Sequence, residues 1–236
     1  MIKGLLWDSD GVVVNSETPD RDQGLVDIVA SMGGTLDIKR VKPLLSGKPM
    51  IECMGIVIKE CGLTCSPDVL YQERVASLQK FYRNVDYMPR FKEFCRNLER
   101  ALEARSALAS GCDRELFDIA DRHLQLRPFF NGHAYLSHEL KNLQSKPKPD
   151  IFVYASREIG VESTECLVFE DAPMGVVAGW AAGARVVGFT KTFGEKLYDK
   201  AVVAARTAKT VPGRFIAIPD FLDESYMRVY HFARAP

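Results

Sequence analysis

The sequence predicts an α/β protein: a doubly wound, Rossmann-like parallel sheet core carrying an inserted α-helical cap domain. Three observations predict it. Short apolar runs recur along the chain, each bounded by polar residues or glycine and each too short for a helix. Stretches of helical periodicity separate them, and strands that alternate with helices make βαβ units, which build a parallel sheet. One block, about residues 16–86, breaks that rhythm with helical patterns alone.

In chain order, the first strand runs from Ile2 to Trp7 and is ended by Asp8-Ser9-Asp10-Gly11. Helical stretches then cover Arg21 to Met32, Met50 to Cys61 and Pro67 to Tyr82. With no strand among them, they form a lid inserted after the first strand: residues 16–86 are the cap, residues 1–15 and 87–236 the α/β core. Asn15 and Ser16 stand where the chain leaves the core and are the expected hinge, since lids turn on a few residues at element ends. The core resumes with a helix over Met88 to Glu103, a strand over Ser106 to Ala109 and a helix over Asp113 to His123. A helix follows from Pro149 to Ile159, then a strand from Cys166 to Phe169 and a helix from Pro173 to Ala182. The last two strands are Arg185 to Phe189 and Phe215 to Ile218. The mixed aromatic and basic stretch Tyr226 to Pro236 fits either packing on the core or contact with another chain.

Composition excludes several classes of function. The chain has 236 residues, 47% of them hydrophobic and 26% charged, enough to bury a sizeable core. Lys plus Arg and Asp plus Glu are each 31, so no cationic surplus marks nucleic acid as a partner. No apolar run approaches the roughly 20 residues of a membrane span. The apolar run at the N-terminus meets acid at Asp8 and lacks the form of a signal peptide. The six cysteines are therefore expected as thiols in a reducing, cytoplasmic setting.

Four loops carry the chemistry, each where a strand gives way to a helix. In an open parallel sheet, ligands bind beyond the carboxyl ends of the strands. Asp8 and Asp10 follow the first strand and would face the same side if the chain stayed extended. Two acids so close suit a divalent cation together with a nucleophilic or acid–base role. Gly11 relieves the backbone at a sharp turn. Ser110-Gly111 ends the second strand and offers a hydroxyl and backbone N–H groups to an anion. Lys146, between Ser145 and Pro147, is a point charge on a stiff segment ahead of the helix that starts near Pro149. Glu170 and Asp171 close the fourth strand, and such oxygen ligands suit Mg²⁺. Taken singly, these are ordinary turns, a basic surface loop and a helix cap; their order along one sheet edge is what suggests a site.

That order resembles the haloacid dehalogenase superfamily of aspartate-nucleophile phosphotransferases. The matching residues are Asp8 and Asp10, then Ser110, Lys146, and Glu170 with Asp171. Longer strings match too: Asp10-Gly11-Val12, Ser16-Glu17, Lys146-Pro147 with Pro149-Asp150-Ile151-Phe152, and Phe169-Glu170-Asp171 with Gly175 and Ala178. These strings are similar to the helical-cap branch, which includes β-phosphoglucomutase-like enzymes and small sugar-phosphate and glycolate-phosphate phosphatases. The resemblance implies that Asp8 attacks phosphorus to form an aspartyl-phosphate, while Asp10 serves first as acid to the leaving alkoxide and then as base to water. It implies Mg²⁺ held by Asp8, the Asp10 carbonyl and Asp171, with Glu170 in or beside the shell. Ser110, Gly111 and Lys146 would bind the phosphoryl oxygens. Asp10 argues against a dehalogenase, because a halide leaving group needs no proton.

Within that branch, two departures favour a phosphatase over a sugar-phosphate mutase, and the intact set of Asp8, Asp10, Ser110, Lys146 and Asp171 argues against a non-catalytic phosphometabolite binder. Asp20 stands where the mutases place a histidine, and Met50 where they place an arginine. Ser9 and Asn15 replace an apolar residue and an aspartate usual in the first motif. Lys48, between two cap helices, is the candidate cap contact to substrate. The implied partner is a small phosphorylated metabolite, with the chain a monomer or dimer. Cys53, Cys61 and Cys65 lack the second cluster a zinc site needs, and the four histidines show no ligand spacing.

Overall fold

The computed structural model describes residues 1–45, 50–140, 143–190 and 213–235. Along the chain, β1 (Gly4–Trp7) leads into four helices, α1 (Pro19–Ser31), α2 (Ile38–Leu45), α3 (Met50–Cys61) and α4 (Pro67–Tyr82). There follow α5 (Phe91–Leu102), β2 (Arg105–Ser110), α6 (Arg114–Leu124), the short α7 (Leu126–Phe129) and β3 (Ala134–Leu136). The chain continues through α8 (Asp150–Glu158), β4 (Cys166–Glu170), α9 (Pro173–Ala181), β5 (Arg185–Phe189), β6 (Phe215–Ile218) and α10 (Asp223–Arg234). It divides into two compact units, residues 1–15 with 86–236, and residues 16–85.

The first unit is an α/β domain. Its six strands lie in the order β3-β2-β1-β4-β5-β6, and every pairing is parallel. Strands so enclosed must be apolar on both faces. Leu6, Ala107, Val168 and Val186 turn to one side, against Ile151, Phe152 and Ala155 of α8 and Val176 and Trp180 of α9. Gly179 lets α9 close on the sheet, since a Cβ there would lie 2.9 Å from Val186. On the other side Trp7 is wholly buried, stacked on Phe169 at 3.8 Å and edge-on to Phe91 at 5.2 Å. That aromatic layer fixes the end of β1, where the first acidic loop begins.

Four elements escaped the sequence reading, the short helix α7 among them. The edge strand β3 is only three residues long, α2 carries Pro43 within it, and α10 covers the stretch Tyr226 to Arg234. The described part of that C-terminal stretch packs on the α/β domain. Val229 and Ala233 are buried, and Arg185 donates to the carbonyls of Phe232 (2.6 Å) and Ala235 (2.7 Å).

The second unit is all helical among its described residues. Leu25 and Val29 of α1, Val41 of α2, Met54 and Val57 of α3 and Leu70 of α4 form its core. Ser66 caps α4 by accepting from the Val69 N–H at 3.4 Å. Cys53 donates to the Leu45 carbonyl and Cys65 lies 3.8 Å from the Met32 sulfur, so their sulfurs take up separate packing roles. No disulfide joins the six cysteines. Among the described residues, no helix is long and apolar enough to cross a membrane.

Candidate active site

The register of the sheet gathers the four loops. Trp7 pairs with Leu108 on one side and Phe169 on the other, so Asp8 emerges level with the ends of β2 and β4. Strand β1 is the point where the strand order turns outward in both directions, the place where doubly wound sheets open a crevice.

The Asp8 N–H extends the ladder by donating to the Phe169 carbonyl at 3.0 Å. The chain then turns instead of staying extended, so the simple alternation expected for Asp8 and Asp10 does not hold. The Ser9 carbonyl accepts from the N–H groups of Val13 (2.9 Å) and Val14 (2.8 Å), and Gly11 takes φ 76°. Ser9 itself is 2% exposed, so a small polar residue fits where this loop tightens. Ser110 is buried at the end of β2, and its Oγ accepts from the Cys112 N–H at 2.9 Å. Asp113 caps α6 by accepting from Glu115.

Lys146 precedes Pro147 through a cis peptide bond. Its Nζ donates to Asp8 Oδ1 (2.5 Å), Glu170 Oε1 (2.7 Å) and the Ala109 carbonyl (3.3 Å). An ammonium has three donors, and these three contacts use them all. The other Glu170 oxygen accepts from the Ala172 N–H at 3.0 Å. Glu170 is 1% exposed, so it is no solvated loop acid. Asp171 is not the cap of α9, which begins after Ala172 with Pro173 in its first turn.

Among the described residues, Asp8, Glu170 and Asp171 form a group of three buried acids whose ligand oxygens all lie within 4.8 Å of one another. Lys146 is the cation placed against them, so buried negative charge is in excess. Burial accordingly pushes the Asp8 carboxyl above its ordinary range; Lys146 opposes this, and Glu170 and then Asp10 add to it. Burial alone would lower the Lys146 ammonium, but Asp8 and Glu170 outweigh it and hold the charge.

The structure thus brings together Asp8, Lys146, Glu170 and Asp171, with Ser110 and Gly111 on the adjoining strand end. Asp10 lies one turn onward, outside the acid triangle and close enough to act on the Asp8 charge. Lys48 falls outside the described residues. Gly175 was marked in the sequence only as part of the matching string, and Ser137 not at all. Gly175 faces the Glu170 carboxylate across the first turn of α9, and Ser137 sits buried beside Gly111.

The sequence model of the haloacid dehalogenase-like hydrolases matches residues 2–183. Among curated proteins, the fructose-1-phosphate phosphatase YqaB of Escherichia coli (strain K12) is 26% identical over 187 residues, covering 78% of this chain and 94% of its own. A (DL)-glycerol-3-phosphatase of Arabidopsis thaliana is 28% identical over 192 residues, covering 79% of this chain and 78% of its own. Among solved structures, a haloacid dehalogenase-like protein of unknown function from Agrobacterium tumefaciens str. C58 superposes with a TM-score of 0.77 at 21% identity. That match covers 98% of this chain and 99% of the other, and it speaks to the fold.

Proposed function

The chain belongs to the haloacid dehalogenase-like hydrolases, and on that premise we propose that it is a Mg²⁺-dependent phosphatase of a small phosphorylated metabolite, working through Asp8. One observation carries the reading: the Asp8 carboxylate is held 2.5 Å from Lys146 inside a buried group of acids at the carboxyl edge of a parallel sheet. The names of the two curated relatives, a fructose-1-phosphate phosphatase and a glycerol-3-phosphatase, support a small phosphate monoester as the substrate.

The donor set fits a hard divalent ion. Mg²⁺ takes one or two carboxylates and substrate oxygens, and the excess of buried acid over Lys146 leaves charge for it to balance. Asp8, Asp171 and the Asp10 carbonyl are the proposed ligands, and the bound ion would neutralise charge on the phosphoryl group. Glu170, with one oxygen on Lys146 and the other on the Ala172 N–H, orients Lys146 beside that shell.

Asp8 attacks the phosphorus of the monoester. A bond forms from its carboxylate oxygen to phosphorus as the ester bond to the alkoxide breaks, giving an aspartyl-phosphate. Asp10 gives its proton to the departing alkoxide and takes one from the water that then cleaves the acyl phosphate. Lys146 fixes the attacking carboxylate and balances charge gathered on the phosphoryl oxygens, while Ser110 and Gly111 hold those oxygens. The helical unit is the cap, with Asn15 and Ser16 as its hinge.

Hydrolysis of p-nitrophenyl phosphate, with and without Mg²⁺, tests the reading. The wild type is expected to release phosphate only with the ion, and Asp8→Asn to fold normally and release none. Near-normal rates in Asp8→Asn overturn the covalent route; absence of wild-type hydrolysis across phosphorylated sugars, polyols and nucleotides makes the chain a binder.

A further inference from the structure

Lys146 spends its three N–H donors on Asp8, Glu170 and the Ala109 carbonyl, yet its ammonium has a fourth neighbour. The Nζ stands over the face of the Phe152 ring, 4.8 Å from its centroid. A cation within about 6 Å of an aromatic face is drawn to the negative side of the ring quadrupole, and more strongly where water is excluded. Phe152 is wholly buried and the Lys146 side chain is 14% exposed, so little solvent screens the contact.

The local fold aims the ring. Phe152 stands in the first turn of α8, where its N–H donates to the Pro149 carbonyl at 3.0 Å. The loop that carries Lys146 is tied to the same turn. Asp150 Oδ2 accepts from the Gln144 N–H at 2.9 Å, and the Lys148 N–H donates to the Ser145 carbonyl at 3.1 Å. Lysine and ring thus belong to one closed segment. Phe152 also packs in the core under the sheet, beside Ile151 and Ala155. A leucine could fill that core, but it could not offer an aromatic face to a charge.

We propose that Phe152 is a positioning residue for the reaction, whose ring face holds the Lys146 ammonium against Asp8 and Glu170. The inference rests on the phosphatase reading and deepens it. In that reading Asp8 passes from carboxylate to acyl phosphate and back, so one of the three acceptors of Lys146 changes charge in each half-reaction. The ring does not change. It keeps the cation in place beside Glu170 while the Asp8 partner turns over.

Phenylalanine carrying one, two and three ring fluorines at position 152 tests this. Each fluorine draws electron density from the ring face and leaves an apolar ring of nearly the same size, whereas Phe152→Leu would also disturb the core. With Mg²⁺, kcat for p-nitrophenyl phosphate should fall in even steps, about tenfold over the series, with KM within about twofold of wild type. Urea midpoints are the second readout. They should fall along the series in the wild-type background and stay level in Lys146→Met, where the ring faces no charge. A kcat that is flat across the series, or midpoints that fall equally in both backgrounds, makes Phe152 a packing residue and overturns the proposal. If the wild type hydrolyses no phosphate monoester, the phosphatase reading fails and the role of Phe152 in the reaction fails with it; if it does and the series is flat, the role of Phe152 alone fails.

Discussion

Gly175 lies so close to Glu170 that a β-carbon on the glycine would overlap the glutamate carboxylate. The glycine is in the first turn of α9, five residues past the acid, and its missing side chain is the space Glu170 occupies. Alanine in a helix ordinarily adds about 1 kcal/mol over glycine. Here the opposite sign is expected. Gly175→Ala must expel a carboxylate that accepts from Lys146 and from the Ala172 N–H. Steady-state hydrolysis should fall by about 10², the scale of losing one positioned polar group from such a site. The Tm should fall as well, and a rise would show that Glu170 moves aside without cost.

Lys146 is the partly buried counter-charge of both Asp8 and Glu170. Lys146→Met keeps the length of the side chain and leaves the Asp8 and Glu170 carboxylates without their shared cation. Removing one partner of a buried ion pair costs about 3–5 kcal/mol. Urea unfolding of the metal-free protein should show a loss of that order. Asp8→Asn in the same background should recover part of it, because it removes one of the stranded charges. A single variant as stable as wild type would mean that the acids are already protonated without the lysine.

Most of this site was legible because its residues end strands whose apolar runs are plain. Asp8, Ser110 and Glu170 each follow such a run, so a parallel sheet was enough to bring them to one edge. Lys146 was legible more faintly, from the stiff segment between Ser145 and Pro149 that carries it, since the loop around it has no periodicity of its own. Ser137 escaped because β3, with three residues, is too short to leave a pattern in the sequence. The turn after Asp8 escaped for a different reason. Three N–H groups, of Val12, Val13 and Val14, converge on the Ser9 carbonyl, and no alternation of residue types announces such a turn.

Cys166 gives the fold a dependence on alkaline pH. Its thiol is buried under β4, where a Cβ on Gly4 would lie 2.6 Å from the sulfur. Burial, with Glu165 and Glu162 adding to it, pushes the thiol up from 9.0 to about 12. A group raised in the folded state favours the protonated fold. Its contribution is complete below pH 9 and is lost as pH rises toward 12, because the unfolded chain ionises first. Urea midpoints should therefore fall between pH 9 and 11, and Cys166→Ala should fall less steeply over that span. Parallel slopes for the two proteins would show that the thiol stays neutral in both states or ionises in both.

Asp171 is the acid of the buried group whose loss should separate ion binding from folding. It is 4% exposed and leaves the capping of α9 to the backbone at Ala172. Buried acid in excess over Lys146 should make the metal-free protein gain stability when a divalent ion enters. At a hundred times its dissociation constant, a ligand bound to the fold alone adds about 2.7 kcal/mol. Mg²⁺ should thus raise the Tm of the wild type, and chelation should reverse the rise and stop hydrolysis together. Loss of an outer-sphere partner typically weakens a metal about 10–100-fold, so loss of a direct ligand should cost no less. Asp171→Asn should then need about a hundredfold more Mg²⁺ for the same rise in Tm, while its metal-free Tm stays near or above that of the wild type, one buried charge having gone. An unchanged Mg²⁺ titration in this variant would take Asp171 out of the ligand set and leave Asp8 and the Asp10 carbonyl to hold the ion.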